Sequence, residues 1–158
     1  MTDPHERLRE LEITLPVPPA PMASYVPTVL VPIGDGRSLL YISGQVSTLD
    51  GERLTGRCPD EVSVEDAQKA ARACGINLLA QMEAAAGLEN VEQVAQLIAF
   101  VLSTPEFGDQ PKVINAASDL LIDVLGEAGR HSRAALGAGS LPFSFTVEIA
   151  AVVVVRAR

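Results

Sequence analysis

The segment 147–155, Val-Glu-Ile-Ala-Ala-Val-Val-Val-Val, constrains this chain more than any other stretch. It is rich in β-branched residues and has no glycine or proline to interrupt it, so it reads as a strand. Successive side chains of a strand point to opposite faces of its sheet. A run that stays apolar without alternation therefore needs cover on both faces. Residues 149–155 are far too few to cross a bilayer. The strand must sit inside a protein core, and what covers its two faces decides the architecture.

Two long helices are available as cover. Over residues 63–86, Ser63 suits the N-cap, Glu65 and Asp66 the first turn, and Gly87 the position past the end. Ala67, Ala70, Ala71, Cys74, Leu78 and Met82 form one apolar stripe at helical spacing. Its small members let the helix lie close to a sheet. Residues 111–128 read as a second helix, opened by Pro111 and closed by Gly129, with Val113, Ala117, Leu120, Leu121 and Val124 facing inward. Strands are predicted over 25–33 and 37–43, joined by the hairpin signal Gly34-Asp35-Gly36, and over 94–102, 133–138 and 145–156. Segments 47–60 and 104–110 read as loops. The order β-β-α-β-α-β-β predicts an α+β two-layer fold, a mixed sheet packed on two helices. One sheet face is then left over, with no third long helix to cover it. A partner subunit is the economical cover.

Ahead of this unit, residues 3–11 read as a short helix with Pro4 near its start. Pro16, Pro18, Pro19 and Pro21 forbid regular structure and predict an extended connector. The domain reading is a leader over 1–21 and one folded unit over 22–158, a size that supports its own core. Aromatics are 4% and Trp is absent, so that core must be aliphatic. A net charge of −8 without a basic run argues against a nucleic-acid surface. The N-terminus lacks an apolar signal region and no segment is long enough for a membrane helix, so a cytoplasmic protein is expected. Cys58 and Cys74 belong to no CxxC pair and the two histidines show no ligand spacing, so reduced thiols and no metal are expected. Acidic pairs such as Glu65-Asp66 read as solvated helix starts. No phosphate loop or nucleophile elbow occurs, and no cofactor is expected.

The C-terminal third carries a recognisable pattern. Arg133 is followed by Leu141-Pro142, eight and nine positions on, and then by Val147-Glu148-Ile149. Ser43-Gly44-Gln45 follows the second predicted strand, Asn115 lies early in the second helix, and Tyr25 begins the first strand region. Together these resemble the Rid/YjgF family over roughly residues 22–156. The leader helix and His131-Ser132-Arg133 resemble its longer branch. The resemblance implies a chorismate-mutase-like fold, with three subunits closing their sheets into a central barrel and a ligand cleft at each interface. It implies enamine/imine deaminase activity, converting 2-aminoacrylate-type products to 2-keto acids and ammonia. Other members carry endoribonuclease or translation-inhibitor labels. The acidic charge and the scarcity of aromatics count against RNA here.

Carried onto this sequence, the resemblance makes Arg133 and Glu148 catalytic, and Tyr25, Ser43, Gly44, Asn115 and Ala135 substrate-binding. A guanidinium offers a permanent charge and a planar fork suited to a carboxylate. Glu148 lies in an apolar strand, where burial raises a carboxyl pKa and suits it to activating water. It reads equally well as the structural partner of a buried cation. Gly44 lets backbone approach a ligand, and Ser43 adds a hydroxyl or simply closes a turn. Tyr25 either closes the cleft or fills core. Asn115 serves ligand, loop or helix entry. Ala135 stands where many active deaminases carry a thiol, and His131-Ser132 replaces the usual Pro-Ala. Those departures keep a second reading open, a non-catalytic binder of small carboxylates or keto acids.

Overall fold

The computed structural model describes residues 3–18, 20–21 and 23–156, so Pro19 of the predicted connector and Met22 at the predicted domain boundary lie outside the described residues. Helix α1 (Pro4–Glu10) starts where Asp3 accepts a hydrogen bond from the His5 amide at 2.9 Å, with Pro4 in the first turn. Strands β1 (Thr28–Gly34) and β2 (Arg37–Val46) form the predicted hairpin. The segment expected to be a loop holds a small hairpin of β3 (Thr48–Leu49) and β4 (Glu52–Arg53). Its turn is Asp50-Gly51, both left-handed at φ 52° and 81°, which is the type I′ requirement.

Helix α2 (Val64–Ala85) is capped by the Ser63 hydroxyl, which accepts from the Asp66 amide at 3.0 Å. Strand β5 (Val91–Leu102) leads to α3 (Gln110–Leu125). The second helix ends at Gly126, three residues short of the Gly129 stop read from sequence, because Gly126 turns left-handed at φ 63° and a 3₁₀ turn follows. Strands β6 (Ser132–Ala138) and β7 (Val147–Arg156) close the fold.

The five-stranded sheet has the order β1-β2-β7-β5-β6. All its neighbours are antiparallel except β5 and β6, which run parallel because α3 returns the chain between them. Both long helices lie on one face. Leu78 and Met82 of α2, Ile114, Leu120 and Leu121 of α3, and Leu97, Ile149 and Val153 of the sheet meet there with no accessible surface. Leu8 of α1 joins the same core. Cys58 and Cys74 are buried free thiols.

Among the described residues no helix covers the other face. Strand β7 alternates buried and half-buried along its length, its half-buried side being Glu148, Ala150, Val152 and Val154. The register continues that side through Val29, Tyr41, Ile98 and Leu136, which are 38–47% exposed. The leftover apolar face predicted from strand 147–155 is therefore present. Among the described residues no helix is long and apolar enough to cross a membrane.

The shared core carries the protomer's stability. Leu120→Ala removes a fully buried side chain at the junction of α2, α3 and the sheet. It is expected to destabilise the protein by about 2–5 kcal/mol, read as a lower midpoint in chemical denaturation with an unchanged slope.

Candidate functional site

Strand β1 stops pairing at Thr28, opposite Ile42, while β2 runs on to Val46. Ser43-Gly44-Gln45, expected to follow the second strand, lies within it, because β2 bulges between Ile42 and Gln45 and then resumes pairing with β7. The freed edge of β2 is met by the connector. The Ser43 amide donates to the Pro27 carbonyl at 3.0 Å, and the Ser43 hydroxyl to the Val26 carbonyl at 2.8 Å. Between connector, bulge, β3–β4 hairpin and the β6–β7 turn lies a cavity of about 600 Å³.

Tyr25, Ser43, Gly44 and Glu148 all line this cavity, so the fold brings together four of the residues singled out from sequence. Tyr25 stands at its mouth, 47% exposed. Gly44 makes room for Glu148. A Cβ on Gly44 would fall 2.2 Å from Glu148 Oε1, well inside van der Waals contact. The Glu148 carboxyl thus lies against bare backbone, and desolvation there pushes its pKa above the ordinary glutamate value of 4.5.

The cavity floor is polar in a way the sequence reading missed. Asn77 and Gln81 are buried, line the cavity and sit four residues apart on α2, within its apolar stripe. Asn77 Nδ2 donates to the Thr48 carbonyl at 2.9 Å and to the Val46 carbonyl at 3.2 Å. Gln81 Nε2 donates to Gln45 Oε1 at 3.4 Å, and Gln45 Nε2 to the Ser43 carbonyl at 2.9 Å. The amides tie the bulge to α2 and satisfy backbone groups that the bulge frees. Two amides at helical spacing inside an otherwise apolar stripe were the available signal.

The rim opposite is aromatic. Phe143 and Phe145 meet edge to face with ring centres 6.4 Å apart. Phe143 and Ser144 both hold left-handed backbone, at φ 51° and 57°, at a cost on the order of 1 kcal/mol each. Phe143 stays 62% exposed.

Arg133 and Asn115 lie elsewhere. Arg133 sits on β6 opposite the buried Leu97, whereas Glu148 pairs with Phe100. Positions 97 and 100 have opposite parity on β5, so Arg133 is on the helix-covered face and Glu148 on the open one. Strands β7 and β5 also stand between β2 and β6, a separation of about 14 Å at ordinary strand spacing. Ala135 faces the helices and packs against the core.

The Arg133 side chain is nevertheless well held. Nη1 donates to Ser118 Oγ at 2.9 Å, and Nη2 to Asn115 Oδ1 at 2.9 Å and to the Pro111 carbonyl at 3.0 Å. Ser118 Oγ also lies 2.9 Å from His131 Nε2, and an imidazole whose proton sits on Nδ1, against a carbonyl, accepts the hydroxyl proton at Nε2. His131 Nδ1 then donates to the Gly129 carbonyl at 2.6 Å. His131, a departure from the family pattern, so acts as the anchor of the arginine's support. Among the described residues no carboxylate pairs with Arg133. Its guanidinium is oriented by neutral oxygens and keeps its charge uncompensated.

The YjgF/chorismate mutase-like family, whose description carries an endoribonuclease label, matches residues 5–152 of this chain. Protein TCP17 of Trypanosoma cruzi is 42% identical over 149 residues, covering 92% of this chain and 90% of that one. A crystallised Agrobacterium tumefaciens protein of unknown function is 46% identical, covers 96% of this chain and 92% of its own, and superposes with a TM-score of 0.85. TdcF of E. coli, crystallised with bound serine, is 22% identical, with coverage of 89% and 94% and a TM-score of 0.62.

The contact between Gly44 and Glu148 sets a specific expectation. Gly44→Ala displaces the carboxyl, the movable partner of that contact, without touching the core. A crystal structure should show the Glu148 side chain swung away from β2. The Glu148→Gln protein is expected to have a higher thermal midpoint than wild type at pH 7, with the difference vanishing below about pH 4. The sign follows from the raised pKa: the neutral carboxyl is the form folding favours, so its contribution is complete below the unfolded pKa and is lost as pH rises through the folded one.

Proposed function

The chain belongs to the YjgF/chorismate mutase-like family, and on that premise we propose that it is an enamine/imine deaminase, hydrolysing 2-aminoacrylate-type acids to 2-keto acids and ammonia at a site shared between protomers. The observation that carries this reading is Arg133, a guanidinium held in place by Ser118, Asn115 and the Pro111 carbonyl yet lacking an anionic partner among the described residues. An oriented, uncompensated cation is suited to the carboxylate of a small organic acid. The serine bound to TdcF is likewise a carboxylate ligand.

Arg133 and Glu148 act on one ligand only if they come from different protomers, since one protomer points them to opposite sheet faces. Each protomer then offers two unlike half-sites, the Arg133 edge and the Glu148 cavity. Joining unlike surfaces is a heterologous contact, which forms a ring when its rotation closes. A cyclic homotrimer uses both half-sites of every chain and covers the apolar face carrying Val29, Tyr41, Ile98 and Leu136.

In the shared site Arg133 binds the substrate carboxylate. Glu148, as carboxylate, takes a proton from water as its oxygen attacks the imine carbon and passes that proton to the imine nitrogen, leaving a carbinolamine. Glu148 then takes the carbinolamine hydroxyl proton and delivers it to the amine as the carbon–nitrogen bond breaks, and the keto acid and ammonia depart. A raised pKa places this group closer to neutral pH than an ordinary glutamate, which suits both directions of transfer. Nucleophilic catalysis by a thiol at position 135 has no part, since that residue is alanine.

Arg133→Ala is expected to lower the rate of keto-acid release from an enamine generated in situ by about a hundredfold or more, and an unchanged rate would remove the mechanism. Wild-type activity should rise with pH through the Glu148 titration, and Glu148→Gln should lose that limb. Ile98→Glu, which puts a charge on the apolar face, is expected to yield monomers in sedimentation and no activity. Arg133→Ala and Glu148→Gln chains, each of low activity alone, should recover about a quarter of wild-type activity when mixed and reassembled, because only sites pairing an intact arginine with an intact glutamate work at full rate. A site contained in one protomer would recover none. Binding of 2-oxobutyrate without any turnover would favour a carboxylate-binding role instead.

A further inference from the structure

Only two charged side chains line the cavity among the described residues, Glu148 and Arg53. Arg53 ends the β3–β4 hairpin, opposite Thr48. Its place is fixed from both sides: the Leu54 amide donates to the Ser47 carbonyl at 2.8 Å, and Thr55 bridges to Phe145. The guanidinium carbon lies 5.2 Å from the Phe143 ring centre and 5.8 Å from that of Phe145. Among the described residues it has no hydrogen bond and no carboxylate partner. Two aromatic faces hold the cation and leave its N–H edge unspent. One of those rings, Phe143, is carried on left-handed backbone and is largely exposed, so the strained turn serves the rim and not the core.

We propose that Arg53 is a specificity-determining residue that binds an anionic group at the distal end of the ligand, so that the substrate class is imino or keto acids bearing a second carboxylate or comparable anion. This rests on the reading that Arg133 of a neighbouring protomer takes the first carboxylate and Glu148 performs the proton transfers. With those roles filled, Arg53 is the cavity's one remaining charge. The volume agrees: about 600 Å³ lies within the range of drug-sized ligand pockets and far exceeds the needs of a three-carbon acid. The cavity walls toward Arg53 include Thr48, Asn77 and Gln81, whose polar groups suit an extended polar chain better than an alkyl one.

The test is calorimetric titration with 2-oxoglutarate and 2-oxobutyrate, which share a keto-acid head and differ in the distal carboxylate. Wild-type protein is expected to bind the dicarboxylate at least about tenfold more tightly, the scale of one charge-assisted contact. Arg53→Met keeps the side-chain stem against the rings and should bring that ratio close to one, chiefly by weakening the dicarboxylate. Arg53→Lys should restore part of the preference. Equal affinities in wild type, a preference that survives Arg53→Met, or an equal loss for both acids would each overturn the proposal. Loss of 2-oxobutyrate binding in Arg133→Ala reports separately on the underlying site. If that loss occurs and no dicarboxylate preference exists, Arg53 alone has been misread. If wild type binds neither acid, both readings fall.

Discussion

A sheet with two apolar faces and helices for only one of them governs this molecule. The α2–α3 layer buries Leu97, Ile149 and Val153 completely, while Val29, Tyr41, Ile98 and Leu136 on the reverse side stay 38–47% exposed. Water disfavours such a contiguous face. Association through that face would relieve the cost, and the proposed two-protomer site would require it. Arg133 lies on the covered side of β6 and Glu148 on the open side of β7. In the proposed oligomer, one set of contacts would both cover the open face and bring the two separated charges to a common site.

A second link joins the fold to its chemistry at one irregularity. The bulge in β2 ends the β1 ladder, frees a strand edge and opens the cavity. It also places Gly44 beside Glu148, where a side chain on residue 44 would occupy the carboxylate's position. Bulges leave backbone groups without ladder partners. Here Gln45 and Asn77 donate to backbone carbonyls at and beside the bulge, and Gln81 in turn donates to the Gln45 side chain, so α2 carries buried amides in the midst of alanines and leucines. Arg133 is handled in the same manner, with Ser118 and His131 forming a relay of neutral hydrogen bonds behind it. In both places polar side chains at least half withdrawn from solvent fix geometry without neutralising the nearby charge.

Much of the fold was legible because its signals are local. The Ser63 cap, the alanine-rich stripe of α2 and the unbroken apolar run in β7 each act through neighbours in sequence or through one periodicity. The family pattern around Arg133 and Leu141-Pro142 pointed to residues of which four share a cavity and two, Arg133 and Asn115, share a hydrogen bond. The short β3–β4 hairpin was not read from sequence, since two-residue strands lack any period, although Asp50-Gly51 announced its turn. The extension of β2 through Ser43-Gly44-Gln45 escaped because a bulge breaks alternation. Asn77, Gln81 and Arg53 were missed for a common reason: each owes its role to segments distant in sequence, the bulge for the amides and the β6–β7 turn for the arginine.

The proposed capture of anions by an acidic chain looks contradictory until the length scales are compared. The net charge of −8 is a far-field property, spread over a molecule with a radius of about 15 Å. Physiological salt screens such a field within about 8 Å. What an approaching carboxylate meets at close range is the local arrangement, and here Arg133 and Arg53 present guanidiniums whose partners are hydroxyl, amide and carbonyl oxygens or aromatic rings. Those partners orient a cation and strip part of its water without cancelling its charge. Other cations of the chain, such as Lys69, Arg130 and Arg156, are instead held by carboxylates on the surface. Under the proposed function, the neutral partners of Arg133 and the aromatic partners of Arg53 would let a chain of net negative charge bind organic acids at short range.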